Sequence, residues 1–163
     1  FLYLLAPTTL QCVQSCISTM GKILKKGKVV IMLAGRYAGK KAIVVKTFDD
    51  GTNDRKFPHA LVAGIARNPR KATKAMSKEK LKKKIKMKPF IKCVNFTHMM
   101  PTRYQCDLDL QSAVSLENMG EGKKQEMGKK VKTMFEARYA NQDEAKSDKA
   151  FAGTQFFFDK LRF

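Results

Sequence analysis

The sequence predicts a mostly β fold with some α: a small barrel of about five short strands, a basic arm, further strand structure, then a C-terminal amphipathic helix and tail. Three observations carry this expectation. β-rich runs separated by Gly- and Pro-containing turns recur over residues 26–100. Positive charge crowds the first half: residues 22–92 hold 22 Lys/Arg against 4 Asp/Glu, whereas residues 93–163 hold 11 against 10. A helical apolar period enters only late, over residues 123–139.

Length and charge bound the rest. At 163 residues and a formal net charge of +19, one compact domain with a polyanionic partner is the expectation. An anionic membrane surface could attract this charge too, although no membrane partner is expected; no run of 18 or more apolar residues is present, so no transmembrane helix is expected. Cys12, Cys16, Cys93 and Cys106 form no C-x-x-C pair, and His59 and His98 are the only histidines. Four ligands at tight spacing are missing, so free thiols, no metal and no cofactor are expected.

The first hairpin spans Lys26 to Lys46. Val29-Val30-Ile31-Met32-Leu33 and Ala42-Ile43-Val44-Val45 flank a turn holding Gly35 and Gly39. Val, Ile and Met suit a half-buried pleat, and glycine suits the turn. Around it stand Arg36, Tyr37, Lys40 and Lys41, chemistry that fits a phosphate backbone with one exposed base. A plain hairpin with a solvated basic loop is the other reading. The stretch resembles the KOW motif of several ribosomal proteins and transcription elongation factors. Gly27, Val30, Met32, Gly35, Gly39 and Val44 carry the match, and Ala42 stands where many such motifs have a further glycine.

Asp49-Asp50-Gly51-Thr52-Asn53-Asp54 is turn chemistry. Phe57 to Ile65 then reads as a strand entered through Pro58, with Gly64 marking a bulge. His59 is expected to be a packed or hydrogen-bonded histidine rather than a base. These strands suit an SH3-like barrel. A domain that small buries only about 60% of its chain surface, so a bound polyanion would add stability.

Residues 70–92 carry eleven basic side chains and one acid, Glu79. Ser77 can cap a short helix ahead of Leu81 and Ile85, although self-repulsion opposes it. The run reads as an arm between phosphates, as a solvated face, or as a nuclear-import signal. Six phosphate contacts on duplex would give a log–log salt slope of about −5. Residues 90–96 alternate as a strand. In the following Pro101-led segment, Arg103 and Tyr104 can stack on an unpaired base, or Tyr104 can pack inward.

Asp107 and Asp109 share a strand face as a solvent edge, not a catalytic pair. Met127, Val131, Met134, Phe135 and Tyr139 mark one helix face, opposite Lys124, Lys129, Lys132 and Arg138. Residues 140–153 read as a polar loop. The Phe-rich end, 155–163, must be buried on this chain or on a partner.

Four blocks bring a closer resemblance: GKILKKGKVVIMLAGRYAGKKAIVVK (21–46), DDGTNDRKFPHALVAGIARNPRK (49–71), NFTHMMPTRY (95–104) and FFFDKLRF (156–163). Their order and spacing resemble the eukaryotic-type large ribosomal subunit protein twenty-seven family. Phe156 stands where that family usually has Trp. Met20-Gly21-Lys22 reads as the family's start, with 1–19 as an extension outside it, 20–105 as a KOW barrel including the arm, and 106–163 as a helical extension.

The resemblance implies a non-enzymatic constituent of the cytosolic large ribosomal subunit, transiting the nucleus and nucleolus during assembly. Its partners would be ribosomal RNA and neighbouring ribosomal proteins, without independent homo-oligomerisation. Expected RNA contacts are Lys22, Lys25, Lys26 and Lys28 leading into the hairpin, then Arg36, Tyr37, Lys40 and Lys41. The second block adds Arg55, Lys56, Arg67, Arg70 and Lys71. The arm adds Lys74, Lys82, Lys83 and Lys84, and the third block Arg103 and Tyr104. The competing reading is a KOW module of a transcription elongation complex.

Overall fold

The structure is a computed structural model and describes residues 23–70, 73, 75–115, 121–141 and 149–161. It is mostly β with α. Five antiparallel strands, β1 (Lys28–Met32), β2 (Lys41–Phe48), β3 (His59–Arg67), β4 (Lys88–Asn95) and β5 (Met99–Gln105), form one sheet. Their order is β4-β3-β2-β1-β5. A single 3-10 turn, Phe96–His98, joins the two outer strands. The sheet therefore curls into an SH3-like barrel whose ladder is open between β4 and β5.

Period-two patterning builds two cores from one sheet. Val30, Met32, Ala42, Val44, Ala60, Val62, Phe90, Val94, Phe96 and Met99 fill the barrel, with Leu24 as a plug. The alternate set, Val29, Ile43, Val45, Leu61, Ala63, Ile65 and Ile91, points outward and is also buried. Its cover comes from the C-terminal half. Helix α2 (Glu121–Ala140) lays Met127, Val131 and Phe135 on that face, and helix α3 (Lys149–Phe158) adds Phe157 and Phe158. Double-sided burial explains why β3 is buried continuously from His59 to Ile65.

Several expectations change. The Pro101-led segment, residues 99–105, forms β5; it pairs with β1, and its register slips between Lys28 and Val30. The pairing moves four residues along β5 for two along β1, which hides the alternation that would have marked a strand. Residues 149–153 begin helix α3 instead of continuing a loop. Asp107 and Asp109 are exposed but lie in irregular chain after β5. Gly64 is no bulge: it pairs with Ala42 and Phe90, and the shift falls between Ile65 and Arg67. A side chain at Gly64 would run into the Phe90 ring.

Ser77 does stand at the N-terminus of helix α1 (Lys78–Ile85), without a side-chain capping bond. No residue of α1 is buried, so it projects as a charged spur. Its last turn is tied back where the Arg70 N–H donates to the Lys84 carbonyl at 3.1 Å. Expectations for residues 1–19, Lys22, Lys71 and Lys74 fall outside the described residues.

Candidate nucleic-acid interface

Backbone hydrogen bonds pin the hairpin loop 33–40. The Gly39 N–H donates to the Met32 carbonyl at 2.7 Å, Ala38 N–H to Gly35 and Lys40 N–H to Tyr37. Gly35 and Gly39 take φ values of 85° and 72°, a region that β-substituted residues avoid. This holds Arg36 out in solvent. Tyr37 turns back, and its ring stacks on Phe90 with centroids 4.0 Å apart. The expected free stacking face at Tyr37 is thus partly used inside the protein.

Beside β4 and the hairpin loop runs a basic groove. Arg36, Tyr37, Phe90, Lys92, Lys124 and Gly128 line one stretch of it. Beyond Lys92 a second cleft is lined by Gly35, Arg55, Phe57, His59, Asn95 and His98, among others. No Asp or Glu lines either stretch among the described residues. Charge there is unopposed, as a phosphate chain requires.

A third groove gathers Lys40, Arg67, Arg70 and Lys160 beside Tyr139 and Phe158, with Asp159 as its one acid among the described residues. Lys82 and Lys83 are exposed on α1, and Lys84 is half-buried. Lys25 and Lys26 are exposed away from these grooves; Lys26 shares a hollow with Asp107 and Asp109. Lys28 is half-buried, while Arg55, Lys56 and Arg103 are exposed.

Two of the expected RNA contacts are engaged within the protein. Lys41 is only 5% exposed. It occupies the outward parity of β2, the face that helix α3 covers. Its Nζ donates to the carbonyls of Phe156 and Asp159, the latter at 2.7 Å, and lies 3.9 Å from the Phe156 ring centroid. Burial lowers its pKa, with nearby Asp159 pulling the other way. Its ammonium is engaged at the end of helix α3.

Tyr104 resolves to the inward alternative. Its ring stacks on Phe156 at 4.2 Å, and its hydroxyl accepts from Arg103 at 3.2 Å. Arg103 itself stays exposed.

Phe57, Lys92 and Lys124 were not singled out by sequence. The signal for Phe57 was its place in Arg55-Lys56-Phe57-Pro58, an aromatic beside two cations after a turn. Lys92 carries the inward parity of β4, between Phe90 and Val94, yet is exposed. His59 is the packed histidine expected, with Nδ1 donating to the Phe57 carbonyl at 2.8 Å.

A curled five-stranded barrel with a glycine-turned hairpin and two basic grooves that no acid lines among the described residues defines a small basic barrel protein of the KOW type. The chain belongs to the Ribosomal L27e protein family, whose model matches residues 29–163. It is 46% identical over 146 residues to large ribosomal subunit protein eL27 of Tetrahymena thermophila, a match covering 88% of this chain and 100% of the relative.

Proposed function

We propose that this chain is a structural constituent of the cytosolic large ribosomal subunit, that it binds ribosomal RNA, and that it supports subunit assembly and translation. The groove beside β4 carries the reading: Arg36, Lys92 and Lys124 line it, and no acid does among the described residues. Family membership supports the same assignment. Docking is electrostatic, with shape supplied by the pinned hairpin. Lys40, Arg55, Lys56, Arg67, Arg70, Arg103 and the Lys82–Lys84 turn neutralise phosphates, and counterion release supplies the affinity. The barrel and its arm carry these contacts, with Lys124 added from α2; the helical extension closes the outer face. Neighbouring ribosomal proteins are further partners, and the chain passes through the nucleolus before it works in the cytoplasm.

The test is a density-gradient profile of the tagged chain in lysate, with and without RNase, at low and high salt. Co-migration with large subunits and polysomes that survives moderate salt but not RNase is expected. Migration at the top of the gradient, or with RNA polymerase, would overturn the assignment.

A further inference from the structure

The cleft beyond Lys92 has a feature that phosphate neutralisation does not explain. Phe57 stands on its rim with 42% of its surface exposed, one of four large apolar side chains left in solvent among the described residues. Exposed rings are ordinary on mobile loops, but this one is held. Thr52 and Arg55 exchange two backbone hydrogen bonds, at 2.9 and 3.0 Å, closing the turn behind it. Gly51 packs so closely that a side chain there would strike the backbones of Arg55 and Phe57. The Phe57 carbonyl accepts from His59 Nδ1, and the His59 ring is stacked on Phe48 at 5.0 Å. Phe57 touches His59 only edge-on, at 5.7 Å and 64°.

The surroundings select a guest. Arg55, Lys92, Asn95 and His98 line the same cleft as the ring, and the lining holds no acid among the described residues. At the back, His59 is 1% exposed and its Nε2 has no partner among the described residues. With Nδ1 donating, Nε2 is the ring atom left for a polar group of a guest.

We propose that this cleft seats one unpaired nucleotide, its base on the Phe57 ring and its flanking phosphates on Arg55 and Lys92. Paired bases keep their faces stacked inside the helix, so only a bulged or looped nucleotide can use the ring. The proposal rests on the RNA-binding reading and makes it specific: the chain recognises an irregularity in the RNA, not only its charge.

The experiment uses the full chain and two RNA stems of equal length, one fully paired and one with a single bulged 2-aminopurine. Tighter binding to the bulged stem by roughly tenfold is expected, with the fluorescence of the bulge changing on binding. Phe57→Ala should abolish that preference while leaving affinity for the paired stem in place, and Phe57→Tyr should keep it. Equal affinity for both stems would overturn the proposal but leave the RNA-binding reading standing. A bulge preference that survives Phe57→Ala would overturn it too, as would tighter binding to an acidic peptide than to the bulged stem. Absence of binding to either RNA would overturn both readings.

Discussion

The Lys41 ammonium sits at the C-terminal end of helix α3, bonded to the carbonyl of Phe156 and over the ring of the same residue. Asn68 Nδ2 reaches the neighbouring carbonyl of Phe158 at 2.9 Å. The barrel thus supplies the donors that the last helical turn lacks. Replacing Lys41 with Met should cost about 2–3 kcal/mol in chemical denaturation, the scale of charge-assisted hydrogen bonds removed at a buried site. Charge reversal at half-buried Lys40 should do the opposite: little change in stability, weaker RNA binding, and weaker incorporation into subunits. Equal behaviour of the two variants would contradict this division of labour.

The same lysine gives a pH dependence of defined sign. Burial lowers its folded pKa below 10.5, so the unfolded chain holds that proton more tightly. Between the folded value and 10.5, stability from this group rises with pH; below that window its contribution is at its minimum and constant. Denaturation of wild type and Lys41→Met from about pH 8 upward should show the wild type gaining relative to the variant as the medium becomes alkaline. A gap that narrows with pH would refute the assignment.

Two helical glycines should respond in opposite directions to alanine. Gly128 on α2 has open space where a Cβ would stand, so Gly128→Ala should stabilise by about 0.5–1 kcal/mol through helix propensity. Gly153 on α3 packs directly against the Gln105 carbonyl of β5, leaving no room for a Cβ. Gly153→Ala should therefore destabilise by about 1–3 kcal/mol despite the same propensity gain. Thermal melts of the two variants settle the comparison.

The buried thiol should be inert. Cys106 is fully buried, with its sulfur 3.5 Å from Thr154 Oγ1, and burial raises its pKa. Alkylation of the native chain followed by peptide mapping should label half-buried Cys93 well before Cys106, and denaturation should equalise them. Early labelling of Cys106 would mean that α3 leaves β5 readily.

The salt response offers a check on the arm. Lys82, Lys83 and Lys84 changed together to Gln should make the log–log slope of duplex binding less negative by about 2–3, near 0.9 for each phosphate no longer neutralised. An unchanged slope would show that α1 stays in solvent.

Much of this architecture was legible because β1, β2 and β3 announce themselves as β-rich runs between turn residues, β4 by alternation, and α2 by Met127, Val131 and Phe135 on one face. The parts that were not legible share a cause. β5 carries a register slip, so Met99 to Gln105 shows no clean period. Helix α3 reads KAFAGTQFFF, weak in helix formers and apolar nearly all round, and it is held by packing and not by propensity. Lys41 looked like a loop cation because nothing in its neighbourhood reveals that a segment more than a hundred residues later covers that face. Charge position was readable, whereas which cations are already engaged was a tertiary fact.

Because both sides of the sheet are buried, the order of synthesis matters. A ribosome makes β1 to β5 first, and the barrel's inner core can close as soon as they emerge. The outward rows of Val29, Ile43, Val45, Leu61 and Ile65 stay wet until α2 and the Phe157–Phe158 pair arrive. Every prematurely terminated chain therefore displays a sticky strip that the finished one hides. Completion of translation becomes a visible surface property, on which chaperones and proteases can sort full-length copies from fragments before any of them meets RNA.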